Sequence, residues 1–209
     1  MKARSQKIRG ASISYNEKYT DYQLKRNWIR KVIRKFYLNN TLKYVKGKSI
    51  DFGCGVGELL KKLPQGSIGF DVNEVTVKYC RNIGLNVINY QPEVDRYELK
   101  GCEVGEYKTL IMSHVLEHLE NPSVVLHLLL KSCKRLSIEQ VIIIVPGKKG
   151  FRSDLTHKTF IDMRYLENYH LSDIEGYDIA KTEYFPINVS WIGKYFTHHE
   201  LIVIYENKT

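Results

Sequence analysis

Ser49-Ile50-Asp51-Phe52-Gly53-Cys54-Gly55-Val56-Gly57 runs a short apolar strand directly into three glycines at alternate positions, and Glu58 to Leu63 then reads as a helix start closed by Pro64 and Gly66. Such a bend lets a ligand approach the backbone, because the chain lacks Cβ atoms there and can adopt positive φ. The N–H groups at the helix start form a locally positive edge suited to a carboxylate or a phosphate. A second strand, Ser67 to Phe70, follows, and Asp71 directly after it lies 20 positions beyond Asp51. An acid there is placed to accept hydrogen bonds from both hydroxyls of a ribose. Bend and acid together predict a nucleoside ligand.

Outward from this unit the pattern repeats. Glu74 to Asn82 reads as a helix, Leu85 to Tyr90 as a third strand and Thr109 to Met112 as a fourth. Pro122 to Cys133 is a helix with proline in its first turn. Gln140 to Val145 is a fifth strand whose β-branched run suits burial on both faces. Alternating strands and helices define an α/β protein with parallel strands and right-handed crossovers. The tail differs: Ile179 to Phe185 and Glu200 to Tyr205 read as two strands joined by Ile187 to Phe196, too short and irregular for a crossover helix, so an antiparallel ending is expected. The one connector long enough to host a substrate is Pro146 to His170.

The 209 residues carry a formal charge of +9, with 43% hydrophobic residues, which suits one sizeable core. No apolar run is long enough to span a bilayer. Lys2, Arg4, Lys7 and Arg9 are not followed by the apolar segment of a secretory signal, so a cytoplasmic protein is expected. Cys54, Cys80, Cys102 and Cys133 form no C-x-x-C pair and read as reduced thiols. Charge is uneven: Met1 to Lys48 holds 14 Lys and Arg against two acids, while the remaining 161 residues carry a net −3. Within that segment Leu24, Trp28, Val32 and Phe36, with Ile29 and Ile33 beside them, make the apolar stripe of an amphipathic helix. Its basic faces suit phosphates, a nucleic acid or an acidic membrane surface, or are simply solvated. Tyr15, Tyr19 and Tyr22 line a ligand mouth or staple this segment to the core. The expected division is a basic helical arm or lid over residues 1–46 and a ligand-binding domain over 47–209.

Dinucleotide sites want G-x-G-x-x-G, whose third glycine is replaced here by Glu58, a carboxylate that would repel a pyrophosphate. Instead the triplet follows an acid, Asp51, which suits a ligand bearing an ammonium group. Asp51-Phe-Gly-Cys-Gly-Val-Gly57 resembles the first motif of class I S-adenosylmethionine-dependent methyltransferases. Gly69-Phe-Asp-Val-Asn73 is similar to their second motif, and Leu110 to Leu119 with Asn121-Pro122 to the fourth-strand motif of the subgroup containing small-molecule and quinone methyltransferases. Val141 to Pro146 fits the fifth strand, and Asp154-Leu-Thr-His157 with Phe160 resembles a substrate-side segment of that subgroup. The resemblance implies a Rossmann-like sheet of seven mostly parallel strands, the last antiparallel, with helices on both faces. It implies S-adenosylmethionine as cofactor, held by Asp51, Gly53, Cys54, Gly55, Gly57, Asp71, Val72, Ser113 and His114, with Asp71 on the ribose and Val72 against the adenine. The family's acid at the end of the third strand is missing from Ile88-Asn89-Tyr90-Gln91-Pro92, so Asn89, Gln91 or a backbone group takes the adenine amine.

His114-Val-Leu-Glu117-His118 also spells H-x-x-E-H, a zinc pattern when it lies on a helix. Here it starts at a strand end, no third ligand follows downstream, and the resemblance accounts for it as a cofactor-lining loop, so no metal is expected. His118 and His157 are the candidate catalytic bases if the methyl acceptor is a hydroxyl, with Asp154 either pairing with His157 or capping a helix start. Lys148, Lys149 and Arg152 suit an anionic substrate. His127 reads as a helix-surface or core-edge residue, and His198 and His199 as loop residues. The leading expectation is transfer to a small-molecule, carbohydrate or lipid-linked acceptor. The alternatives are an RNA acceptor gripped by the basic arm, a non-catalytic cofactor-binding scaffold and, more remotely, a dehydrogenase.

Overall fold

The fold was obtained as a computed structural model, which describes the backbone of residues 28–208 and the side chains of residues 34–208. Strands β1 (Ser49–Phe52), β2 (Ile68–Asp71), β3 (Val87–Asn89), β4 (Thr109–Ser113) and β5 (Gln140–Pro146) run parallel. After two short helices come β6 (Asp173–Ile174), β7 (Tyr177–Phe185) and β8 (Glu200–Asn207). The sheet order is β3-β2-β1-β4-β5-β8-β7-β6, and β8 is antiparallel to both of its neighbours. The period-2 alternation of side chains divides the core into two layers. Leu110 and Met112 of β4, Val141, Ile143 and Val145 of β5 and Leu201, Val203 and Tyr205 of β8 face one layer. Ile111, Ile142, Ile144, Ile202 and Ile204 face the other. Helix α2 (Glu74–Asn82) covers the second layer through Val77 and Cys80. The long helix after β4, Pro122–Arg135, covers the first through Val125, Leu126, Leu129, Leu130 and Cys133, one stripe at helical spacing.

The strand sequence and the antiparallel ending match expectation, with eight strands instead of seven. The added strand is the two-residue edge β6, which returns to β7 through Glu175 and Gly176, both at positive φ (53° and 83°). Two positive-φ residues are what a tight I′-type hairpin turn requires. Glu-Gly is not among the dipeptides that announce such a turn, so the sequence concealed it. The helix expected over Glu58 to Leu63 is a single 3-10 turn, Leu60–Lys62. Pro64 forces Leu63 into extended backbone (ψ 158°) and leaves no room for more.

The N-terminal helix α1 (Trp28–Leu42) rests on the second layer through Leu38, with Asn40 and Thr41 also buried. Tyr37 packs edge-on against Phe185 at 4.9 Å, and Tyr44 and Asn40 hydrogen-bond Glu183 of β7. Phe36, expected on the buried stripe, is 64% exposed. Among the described residues, the docked face is the one carrying Leu38, Asn40 and Thr41, and Leu38 lies about 200° around the helix from Phe36. Leu24, the side chains of Trp28, Ile29, Val32 and Ile33, and Tyr15, Tyr19 and Tyr22 lie outside the described residues. Among the described residues, no helix is long and apolar enough to cross a membrane.

The order of strands reverses between β1 and β4, and such a switch point opens a crevice at the carboxyl ends of the strands. The glycine bend lies on one side of this crevice and Ser113-His114 on the other. The sheet edge beyond β5 is pinned by Tyr177, fully buried, whose hydroxyl donates to the Ile138 carbonyl at 2.6 Å. Tyr177→Phe removes that donor and is expected to cost about 1–3 kcal/mol, read as a lower urea midpoint with an unchanged slope. An unaltered midpoint would show that the bond carries no net stability.

Candidate active site

Gly53, Gly55 and Gly57 all adopt positive φ (79°, 53° and 73°), and a Cβ on Gly53 would sit 2.3 Å from Val115 Cγ2. The bend therefore needs glycine for both conformation and space. It is tied to the end of β2 through two contacts. Gly53 N–H and Cys54 N–H donate to the Phe70 carbonyl (2.7 and 3.0 Å), and Gly55 N–H donates to Asp71 Oδ2 (2.8 Å). Asn73 N–H reaches Asp71 Oδ1 at 2.9 Å. Burial raises the Asp71 pKa, and the amides of Asn73 and Gly55 oppose that rise. Each carboxylate oxygen keeps a further lone pair for a ligand hydroxyl.

Under the bend, Asp51 is 2% exposed and its Oδ2 has no partner. Burial pushes its carboxyl up to about 7, against the pull of Arg34 and with a further push from Asp71. Val72, beside Asp71, is 61% exposed. Asn89 stands opposite Asp71 in the β2–β3 register and carries a buried, unpartnered Nδ2. Gln91 is exposed. Of the two side chains considered beside the adenine, Asn89 is the one with a free buried group, but that group is a donor and suits a ring nitrogen, not the exocyclic amine. Cys54 turns its sulfur inward, toward Gly69, so only its backbone faces the crevice. Glu58, the carboxylate at the third-glycine position, pairs with Arg34 of α1 and is not a free negative charge.

Across the crevice, β4 is followed directly by His114, whose φ of 57° is left-handed. Its imidazole is clamped: Nδ1 lies 3.0 Å from Glu117 Oε1 and Nε2 2.7 Å from Glu200 Oε1 at the start of β8. Burial alone would lower its pKa, but the two carboxylates outweigh it and hold the ring cationic up to about 10. Glu117 is completely buried, and its Oε2 has no partner. Its carbonyl accepts from Lys158 N–H and Thr159 N–H (2.7 and 3.1 Å), which fastens the Pro146–His170 connector to the end of β4.

That connector carries helices α5 (Lys148–Arg152) and α6 (Met163–Asn168) and brings His157 to within 4.7 Å, ring to ring, of His118. Asp154 does not pair with His157 through its carboxylate. Its Oδ1 caps the local turn, accepting from Thr156 N–H (2.9 Å) and the Thr156 hydroxyl (2.7 Å). Burial raises its pKa, and those Thr156 bonds bring it below the ordinary carboxylate value. The hydroxyl in turn accepts from His118 Nδ1 at 3.1 Å, so Asp154 orients His118 through Thr156. His157 Nδ1 donates to the Phe151 carbonyl at 2.8 Å, and its ring stacks on Phe151. Both histidines thereby commit their Nδ1 protons and leave Nε2 to the site.

One cavity of about 650 Å³ joins these parts. Gly53, Cys54, Gly55, Ser113, His114, His118 and His157 line it, whereas Asp51, Gly57, Asp71 and Val72 do not. The last two stand on the far side of the bend, at the end of β2. Arg34 and Tyr37 of α1 and Tyr195, Phe196 and Glu200 before and at β8 complete the wall. Lys149 lines it too but gives its ammonium to the Tyr195 carbonyl, and neither Lys148 nor Arg152 belongs to the lining. His198 and His199 both line the cavity; His199 is otherwise buried, and its Nε2 donates to the Ile187 carbonyl at 3.0 Å. His127 pairs with Glu175 at the surface. Sequence reasoning missed Glu200, Thr156 and the helix residues Arg34 and Tyr37. Glu117 and Thr156 lay within quoted motifs but had no role in the methyltransferase resemblance.

Residues 21–172 match the model of a family described as methyltransferase domain. A search of curated proteins returned no match. Among solved structures, the chain is similar to a SAM-dependent methyltransferase from Archaeoglobus fulgidus (21% identity, TM-score 0.64, covering 89% of this chain and 97% of that one). It is also similar to magnesium protoporphyrin IX methyltransferase from Synechocystis PCC 6803 with bound SAH (16% identity, TM-score 0.62, 88% of each chain). A third is a TehB-like SAM-dependent methyltransferase from Corynebacterium glutamicum (15% identity, TM-score 0.57, 95% and 99%). At these identities the likeness is one of fold.

The clamp on His114 makes stability depend on pH with a defined sign. Because the folded pKa (about 10) exceeds the ordinary 6.5, the contribution is intact below 6.5 and is lost as pH climbs through about 10. His114→Asn, which tolerates the left-handed backbone, leaves Glu117 and Glu200 without their cation and is expected to cost about 3 kcal/mol at neutral pH. Chemical unfolding followed from pH 6 to 10 should show a smaller alkaline decline in the variant; equal declines would refute the clamp.

Proposed function

The chain belongs to the methyltransferase-domain family, and from that premise we propose that it passes the methyl group of S-adenosylmethionine to a small-molecule, carbohydrate or lipid-linked acceptor. The observation that carries this reading is the shared cavity, which runs from the glycine bend to the Nε2 atoms of His118 and His157. The glycine bend on the donor side and the histidines on the acceptor side thus line one cavity.

The residues fit the cofactor. Asp51 offers a buried carboxylate with an unpartnered oxygen to an ammonium group, and Gly53, Cys54 and Gly55 of the bend line the cavity. Asp71 holds two oxygens ready for ribose hydroxyls, Val72 offers an uncovered apolar surface to the adenine, and Asn89 has a free amide donor beside them. Ser113 and His114 close the opposite wall. The cofactor supplies an electrophilic methyl group on its sulfonium sulfur. The chain's task is to hold the acceptor in line and exclude water. For a hydroxyl acceptor, His118, oriented by Thr156 and Asp154, and His157, oriented by Phe151, serve as bases through Nε2.

Aromatic side chains favour an acceptor with an apolar or aromatic body. Tyr195 and Phe196 are 69% and 41% exposed at the cavity rim, with Trp191 nearby at 60%. The arm of residues 1–46 acts as a lid in this reading, supported by the positions of Arg34 and Tyr37 in the cavity wall and by the Arg34–Glu58 pair that joins α1 to the bend. The RNA alternative rests on basic residues that fall mostly outside the described part of the chain.

Calorimetry with S-adenosylhomocysteine tests the cofactor assignment. Affinity should fall about tenfold per pH unit below about 7, where Asp51 takes up a proton, and Asp51→Asn should flatten that slope. Asp71→Ala should weaken binding by about 1.5–3 kcal/mol through lost charge-assisted hydrogen bonds. Folded protein that releases no heat with either the donor or its demethylated product would overturn the reading. A labelled-methyl screen of metabolite extracts, with and without RNase, then identifies the acceptor class: RNase-insensitive incorporation is expected.

A further inference from the structure

Glu117, His118 and His157 come from two segments, the turn after β4 and the connector after β5, yet their ligand atoms all lie within 4.8 Å of one another. His157 Nε2 is 3.9 Å from Glu117 Oε1. The H-x-x-E-H letters lack a third downstream ligand when read along the chain, and the fold supplies one in His157. His114, the first histidine of that pattern, is excluded because Glu117 and Glu200 occupy both of its nitrogens.

Two independent features make this a built site. First, both histidines are fixed as ligands should be: His118 Nδ1 donates to Thr156 and His157 Nδ1 to the Phe151 carbonyl, leaving each Nε2 lone pair free. Histidines that bind metal characteristically give the other ring N–H to such a partner. Second, Glu117 is completely buried, and its Oε2 has no hydrogen-bond partner, a costly arrangement for an unpaired acceptor. A divalent cation answers both at once.

We propose that Glu117, His118 and His157 bind a divalent first-row transition ion, such as zinc or manganese, at the acceptor end of the cavity. Two imidazoles and one carboxylate suit such ions better than magnesium or calcium, which prefer oxygen ligands throughout. Metal–ligand bonds of ~2.1 Å require the three side chains to close slightly from their present spacing. His118 and His157 line the cavity while Glu117 lies behind them, so the open coordination positions face the acceptor. On the methyltransferase reading, from which this part follows, the acceptor is an oxygen ligand such as a hydroxyl, and the two histidines hold the cation in place of acting as bases.

Metal-stripped full-length protein should bind one equivalent of Zn²⁺ by calorimetry and one of Co²⁺ by visible absorption, without the charge-transfer band that a cysteine ligand would give. His118→Asn and His157→Asn should each weaken Zn²⁺ binding at least ~10–100-fold, since losing a direct ligand costs no less than losing a supporting one. His170→Asn, at an exposed position away from the cavity, should not change it. Far-ultraviolet circular dichroism checks folding, and if His157→Asn does not fold, His118→Asn decides. No stoichiometric binding, or equal affinity in the histidine variants and the wild type, would overturn the metal site. Running S-adenosylhomocysteine calorimetry on the same samples separates the two ideas: homocysteine-product binding without zinc binding defeats the metal site alone, whereas zinc binding without product binding defeats the methyltransferase reading.

Discussion

One half-buried imidazole, clamped between two carboxylates, organises the carboxyl ends of the central strands. His114 leaves β4 in a left-handed conformation and is held there by Glu117, three residues on, and by Glu200, from a strand two positions away in the sheet. A buried ion pair gives little stability relative to apolar packing, because desolvation consumes most of the Coulombic gain. Its value here is positional. Once Glu117 is fixed, its carbonyl captures Lys158 and Thr159, and the connector then delivers His157 to the cavity wall. Breaking the clamp would release the turn, the connector and one wall together.

The two halves of the site are built by different physics. The donor side is backbone geometry: three glycines at positive φ, amides given to Asp71 and a carboxylate sealed beneath the bend. Little there can vary without a steric clash, as the 2.3 Å approach of Val115 to a hypothetical Cβ on Gly53 illustrates. The acceptor side is assembled from side chains on loops and short helices. Asp154, Thr156 and Phe151 fix the ring orientations of His118 and His157, and Tyr195 and Phe196 form an apolar rim. Loops tolerate change where strand ends do not, which is the usual division between a shared scaffold and a particular specificity.

What could be read in the sequence was local. The strands and the helix Glu74–Asn82 announced themselves through apolar periodicity, glycine and capping residues, and the donor-side carboxylates through their distance from the glycine bend. The acceptor side depended on contacts between distant segments. Nothing near Glu200 marks it as a partner of His114, since 86 positions separate them. The Asp154-to-His157 spacing left a direct pair and a cap both open, and an Asp two residues before a Thr prefers to cap the intervening turn, so Thr156 took the carboxylate. Phe36 failed for a related reason: a repeat of four drifts around a helix of 3.6 residues per turn, so it does not mark one fixed face, and the face that docks is the one carrying Leu38 and Thr41.

The place of β8 in the sheet links completion of the fold to completion of the site. It follows both of its neighbours in the chain yet inserts between them, with β5 on one side and β7 on the other. During synthesis those two strands emerge first, and the slot between them stays unfilled until β8 follows. Glu200 is the residue with which the incoming strand begins. The counter-charge of His114 therefore arrives only when the slot is filled, and a nascent chain stalled before that point would have neither a continuous sheet nor a finished pocket.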